Sequence, residues 1–272
     1  MEYREWPPHP ALRPFVRTYW ALQGRGGDSP PQPVLPDGST ELIVHRLRGF
    51  RRHTARDVAV QSQRLFVGQM REPVVLEARG DADVVGIRFR PHGAFALLEC
   101  PQHLSADEIP EVDALGIRWL SQATRRAQAA PTPHAALQVL EEALLLRLPV
   151  RTRRVDPRVN AVVAAIERAA GNLRIEEAAV QAGTSRRHLE RLFAEQVGVG
   201  PKTLARLLRF QAAAARVVGE PAAALASVSG DSGYFDQSHM IRDFMTFAGT
   251  SPDALRRRLG QMTAWMLAAR SR

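Results

Sequence analysis

One supersecondary unit occurs twice in this 272-residue chain, and that repeat constrains the fold more than any other feature. From Arg174 to Phe193 the residues read as helix, turn, helix. Ile175, Ala178, Ala179 and Ala182 recur at i, i+3, i+4 and i+7, so they share one helical face. Gly183 supplies the left-handed residue that ends a helix. Ser185 accepts a bond from a free N–H and starts the next one. Leu189, Leu192 and Phe193 then point inward, which leaves Arg186, Arg187, Glu190 and Arg191 on the outer face. The pattern returns from Pro221 to Phe244. It breaks at Gly233-Tyr234-Phe235-Asp236, takes Asp236 as its cap, turns Met240 and Phe244 inward, and faces Gln237, Ser238, Ile241 and Arg242 outward. Gly183 and Gly233 lie 50 residues apart, while Gly198–Gly249 and Pro201–Pro252 are each spaced by 51.

A helix with Arg and Gln outside suits a DNA major groove, where Arg reads guanine and Gln reads adenine through paired hydrogen bonds. The charge distribution agrees. From Arg151 to Arg272 nineteen basic residues face eleven acidic ones, a net +8, whereas Met1 to Val150 carry a net +1. Charge alone favours a solvated basic surface; charge on the repeated motif is the footprint of nucleic-acid binding. Arg174 and Lys202, the only lysine, lie near helix starts and are expected on phosphates, as are His188 and His239.

The stretch resembles the DNA-binding domain of the AraC family of bacterial transcription regulators. The matching residues are Gly183-x-Ser185-x-x-His188-Leu189-x-Arg191-x-Phe193, Gly198-x-x-Pro201-Lys202, Gly233-Tyr234-x-Asp236-Gln237-Ser238-His239, Arg242-x-Phe244 and Gly249-x-Ser251-Pro252. The resemblance implies seven helices, the third and sixth entering successive major grooves. It makes Ser185, Arg186, Arg187, Glu190, Arg191, Gln237, Ser238, Ile241 and Arg242 the DNA-binding positions. Double-stranded DNA is then the partner, with RNA polymerase if the protein activates transcription. Two departures stand out: Gly200 replaces the family's usual capping Ser, and Ser229-Gly230 weaken the fifth helix.

Ahead of this half the hydrophobic period changes. Short apolar runs at 19–22, 41–44, 64–67, 73–76 and 84–89 alternate with turn residues, which predicts a β-rich barrel or sandwich over residues 1–112. Asp81-Ala82-Asp83 reads as a hairpin turn, and a helix is expected from about His92 through Phe95, Leu97 and Leu98. Leu35-Pro36-Asp37-Gly38 and Val85-Gly86-Ile87-Arg88-Phe89-Arg90-Pro91 look like the uncharacterised sensor-type domain of some AraC-like regulators. The class is therefore α+β, with an all-α C-terminal domain over 156–262. Residues 113–148 turn helical and close the first domain. The helix from Pro133 to Leu148 is apolar on two sides, so its second side, with Leu140 and Leu144, is expected to meet a second copy in a homodimer or to lie in an internal hairpin. Residues 149–155 are a basic linker, and Asp156-Pro157 opens the next helix.

Arg88 and Arg90 fall on one strand face, so both can point into a barrel, where a small anionic effector would suit them; an Arg couple that is paired or exposed is the plainer reading. No catalysis and no cofactor are expected. Cys100 is the sole cysteine, which excludes an internal disulfide framework and a four-Cys metal site. His45, His53, His92 and His103 have no metal-ligand spacing, which weakens the alternative of a barrel enzyme, metal-dependent or repair-type, fused to a DNA-binding domain. Intact Arg187, Arg191, Gln237 and Arg242 weigh against an antagonist that has lost DNA binding. With neither a signal core nor an 18-residue apolar run, the expected location is the cytoplasm.

Overall fold

Strands occupy the first third of the chain and helices the rest, as the change of hydrophobic period requires. The computed structural model describes residues 1–54, 56–148, 153–220 and 223–258. A five-stranded antiparallel sheet has the order β1 (Glu2–Trp6), β2 (Val16–Gly24), β9 (Ala82–Phe89), β4 (Glu41–His45), β7 (Arg64–Val67). A four-stranded sheet has the order β3 (Gln32–Val34), β8 (Val74–Glu77), β5 (Arg51–His53), β6 (Val58–Val60). The two sheets do not close into a barrel, so of the two expected β architectures the separate-sheet one is found.

The larger sheet is buried on both faces, which is why β2 and β9 read as nearly unbroken apolar runs. Trp20, Leu22 and Val84 pack toward the smaller sheet with Phe50, Val34 and Leu76. Tyr19, Ala21, Val85 and Ile87 pack toward helices. Gly86 is required at the centre: a Cβ there would sit 2.3 Å from the Trp20 indole. The expected hairpin at Asp81–Asp83 does not form, because β8 and β9 belong to different sheets. Its turn residues bond instead to a distant loop: Asp81 accepts from Gly26 N at 2.6 Å, and Asp28 accepts from Gly80 N at 3.2 Å.

Helix α1 (Gly93–Leu98) follows the sheet, at the expected place. Then α2 (Arg118–Gln128) and α3 (Pro133–Arg147) form a hairpin across β9. Thr132 caps α3 by accepting from Ala135 N at 3.1 Å. Leu137, Leu140 and Leu144 of α3 lie in the core of the N-terminal domain. That corrects the expected subunit contact at Leu140 and Leu144: the face that carries them is spent on the chain's own sheet, so arginine there would test folding rather than assembly. Of the basic linker, residues 149–152 lie outside the described residues; Arg153 N donates to Ala96 O at 3.0 Å and Val155 is buried.

Seven described helices make the C-terminal domain: α4 (Pro157–Arg168), α5 (Ile175–Gln181), α6 (Arg186–Gln196), α7 (Pro201–Gly219), α8 (Leu225–Asp231), α9 (Gln237–Ala248) and α10 (Pro252–Arg258). Pro221, with which the second unit opens in the sequence, and the expected last residues of the domain, 259–262, lie outside the described residues. Asp156 caps α4 with Pro157 in the first turn, as the Asp-Pro pair predicts. Helix α7 serves two cores. Its Leu204 and Ala205 pack with α4, α5 and α6, and its Leu207, Phe210, Ala213, Ala214 and Val217 pack with α8, α9 and α10.

The N-terminal domain enters both cores, Phe95 and Ala96 in the first and Leu35 in the second. The Leu35–Gly38 loop rides on α7: Gln211 Nε2 donates to Pro36 O at 2.5 Å. At Gly38, φ is +75° and an added Cβ would meet Leu204 at 2.8 Å, so only glycine fits. Glu167 of α4 accepts from Arg17 at 2.6 Å and from Arg90 at 3.5 Å. Among the described residues no helix is long and apolar enough to cross a membrane.

Candidate nucleic-acid interface

Both turns are built by the same backbone bonds. In the first unit Gly183 has φ +65° and Thr184 N donates to Ala179 O at 3.0 Å; in the second Gly233 has φ +75° and Tyr234 N donates to Ser229 O at 3.0 Å. Thr184 and Tyr234 are thus equivalent. The caps come next: Ser185 Oγ accepts from His188 N at 3.3 Å and Asp236 Oδ1 from His239 N at 2.6 Å. Between Tyr234 and Asp236 stands Phe235, which has no counterpart in the first unit. This single inserted residue explains why the repeat is spaced by 50 residues before the turn and by 51 after it.

Beyond the caps, positions 51 apart correspond, and the apolar sides match: Leu189 with Met240, Phe193 with Phe244, all fully buried. On the outer side of α6, Arg186, Arg187, Glu190 and Arg191 are exposed, as the helical phase predicts. Arg186 is braced between Glu190 (Nε, 3.0 Å) and Glu176 of α5 (Nη1, 2.7 Å). The Glu190 and Glu176 carboxylates raise its pKa further above the ordinary arginine value. Arg191 Nη2 lies 3.2 Å from His188 Nδ1. On α9, Gln237, Ser238 and Arg242 are exposed and Ile241 is half-buried. His239 packs its ring edge-on to Tyr234 with centroids 5.2 Å apart. Arg174 and Lys202 are exposed at the starts of α5 and α7; Arg174 lies 3.3 Å from Glu177. Gly200 leaves α7 without a side-chain cap, as its identity predicts.

Sequence reasoning missed Asp243. It is 1% exposed on the inner side of α9, where the first unit has Leu192. A buried carboxylate is tolerated only when paired. Arg206 Nη2 reaches Asp243 Oδ1 at 2.7 Å and Arg209 Nη2 reaches Oδ2 at 3.6 Å, both from α7. Each guanidinium also lies over a ring of the second core, Arg206 over Phe247 at 5.1 Å and Arg209 over Tyr234 at 4.7 Å. Two arginines three residues apart on one helix, facing an Asp where the repeat has Leu, are the signal that was available.

The proposed effector pair does not come together. Arg88 is 2% exposed and carries its own carboxylates: Glu41 at 2.6 Å, Glu5 at 3.1 Å and Asp37 at 3.5 Å. Burial opposes its charge, but Glu41, Asp37 and Glu5 raise its pKa well above the ordinary arginine value. Arg90 lies beyond the end of β9 and turns away to Arg13 O and Glu167. The alternation that put both on one face ends with the strand. A cavity lined by Val34, Leu35, Ile43, Val67 and Leu76, inside the N-terminal domain, measures about 70 Å³. Clefts of ligand size lie where the domains meet. One of about 650 Å³ is lined by Arg17, Arg90, Glu167, Leu208, Gln211 and Gly233.

Residues 4–110 match the family described as a domain of unknown function (DUF6597), and residues 178–258 match the family described as a helix-turn-helix domain. No protein with a curated description matches the chain in sequence. Similar solved structures include the C-terminal domain of AraT, a response regulator from Geobacillus stearothermophilus, at 21% identity over 40% of this chain and 92% of that one, TM-score 0.36. ToxT from Vibrio cholerae is 9% identical over 95% of this chain and 99% of its own, TM-score 0.46. The xylose-binding transcription activator XylR is 20% identical over 45% of this chain and 39% of its own, TM-score 0.32. In sequence, then, the chain matches a DUF6597 domain in front and a helix-turn-helix domain behind, and the second match covers both capped units.

Proposed function

We propose that the chain controls transcription by reading two successive major-groove segments with α6 and α9, without catalysis. The observation that carries this reading is the pair of outward helix faces, Arg187/Glu190/Arg191 and Gln237/Ser238/Arg242, held to one another by the continuous helix α7. Arg191 and Arg242 occupy equivalent positions and suit guanine; Glu190 suits a cytosine amino group and Gln237 an adenine. Ser185, Arg186 and Ile241 complete the two faces. Arg174, Lys202, His188 and His239 serve the backbone, which positions the protein without reading sequence. One copy carries both reading helices, so DNA binding does not require a homodimer, and RNA polymerase is the partner if the bound protein activates.

The reading extends to a small-molecule effector. Support comes from the ligand-sized cleft between the domains and from the Leu35–Gly38 loop that grips α7. A ligand in that cleft touches both the N-terminal domain and the helix that spaces the two reading helices. Sequencing the genomic fragments retained by the full-length protein tests the function. The expected result is a shared motif among the fragments, with affinity falling linearly in log salt. Retention of all DNA alike would overturn it.

A further inference from the structure

The two reading faces differ in chemistry, not only in sequence. Across the 51-residue register Arg186 becomes Gln237, Arg187 becomes Ser238, Glu190 becomes Ile241 and Ala194 becomes Met245, while Arg191 is kept as Arg242. Phe235 is added in front. Phe235 is 93% exposed and Met245 is 53% exposed. Within α9, Ile241 and Met245 lie at i and i+4 and share one side, with Ser238 and Arg242 next to them; Phe235 stands just ahead of the N-cap Asp236. A phenylalanine just before an N-cap ordinarily packs onto the first turn of its helix. This one is left almost wholly exposed, so it does not make that packing contact.

We infer that Phe235, Ile241 and Met245 read thymine C5-methyl groups, so that the second half of the operator is recognised by apolar contact and the first half by hydrogen bonds and charge. The occupant follows from position: Ile241 and Met245 lie on the helix equivalent to α6, Phe235 stands at its start, and Arg242 among them is the one outward arginine common to both. The thymine methyl is the apolar feature that the major groove offers. Among the described residues of the C-terminal domain, the other exposed large hydrophobic side chain is Val180 on α5.

The inference rests on the proposed DNA reading, and its test separates the two. A duplex is taken from the selected fragments, and each thymine is replaced in turn by uracil, which removes the methyl and keeps the pairing. Binding of the full-length protein is measured for each duplex. In the block under α9, uracil should weaken binding about fourfold at each contacted position, the worth of one buried carbon group; in the block under α6 it should change nothing. Phe235→Ser should abolish the sensitivity at one thymine and Phe235→Leu should keep it, with the thermal melt of both variants unchanged because the residue is exposed. Uracil without effect in both blocks, or equal effects of uracil for the Phe235→Ser variant and the parent, overturns the inference while leaving the two-block reading intact. If no sequence is selected in the first place, the proposed function itself fails.

Discussion

Where the first unit buries Leu192, the second buries Asp243, and the two units differ accordingly in what holds them together. The first core is built mainly by apolar contact: Ile175, Ala178, Ala179, Leu189, Leu192 and Phe193 pack on α4 and α7, with Phe95 and Ala96 of the N-terminal domain over them. The second core contains an ion cluster, Arg206–Asp243–Arg209, and its supporting helix α8 carries a buried Ser229 and Gly230. Apolar packing tolerates small changes by degrees. A buried ion cluster holds only while every member is present. The repeat therefore keeps a backbone plan while exchanging the physics inside it.

The largest effect expected from this comparison is at Asp243. Asp243→Ala leaves two guanidinium groups facing an apolar core and should cost roughly 3–5 kcal/mol in chemical denaturation. The triple variant Asp243→Leu, Arg206→Met, Arg209→Met replaces the cluster with the chemistry of the first unit and should recover most of that loss. No recovery would show that the cluster is not interchangeable with apolar packing.

Next come the reading arginines. Arg191→Ala and Arg242→Ala should each cost about 1–3 kcal/mol on the specific duplex, read by titration, and each should relax preference only in its own block. Arg174→Ala and Lys202→Ala should instead weaken all sequences alike and reduce the salt slope by about one. The caps should matter less and about equally. Ser185→Ala and Asp236→Ala each remove an acceptor from the first turn of a reading helix and should lower stability by about 1 kcal/mol, measured by denaturant midpoint. The smallest effect is a gain. A Cβ at Gly230 meets open space, so Gly230→Ala should stabilise α8 by about 0.5–1 kcal/mol. A loss there would contradict the view that this helix is weakened by its own composition.

The C-terminal half was legible because its signals are local. A cap, a left-handed glycine and an i, i+3, i+4 stripe are all read within a dozen residues, and α4 to α9 follow them. What stayed hidden depends on partners far away in sequence. Arg88 meets Glu5 and Glu41, which lie 83 and 47 residues off. The loop at Gly80–Asp81 is bonded to Gly26 and Asp28, so its turn residues do not join β8 to β9 as a hairpin. Helical period marked both apolar sides of α3 but could not say which would meet the chain's own sheet, and Leu140 and Leu144 went there. Asp243 is the informative miss, because a lone acid in a helix reads as surface unless the repeat is aligned against Leu192.

The central claim is that one chain reads two separate stretches of DNA with two helices of unlike chemistry. Binding-site selection with the full-length protein and its Arg191→Ala and Arg242→Ala variants tests it most directly. The predicted result is two base blocks centred about 10 base pairs apart, one turn of B-DNA, each relaxed only by the variant in its own helix. A single block that Arg242→Ala leaves unchanged would contradict the claim and reduce the second unit to a grip on the phosphate backbone.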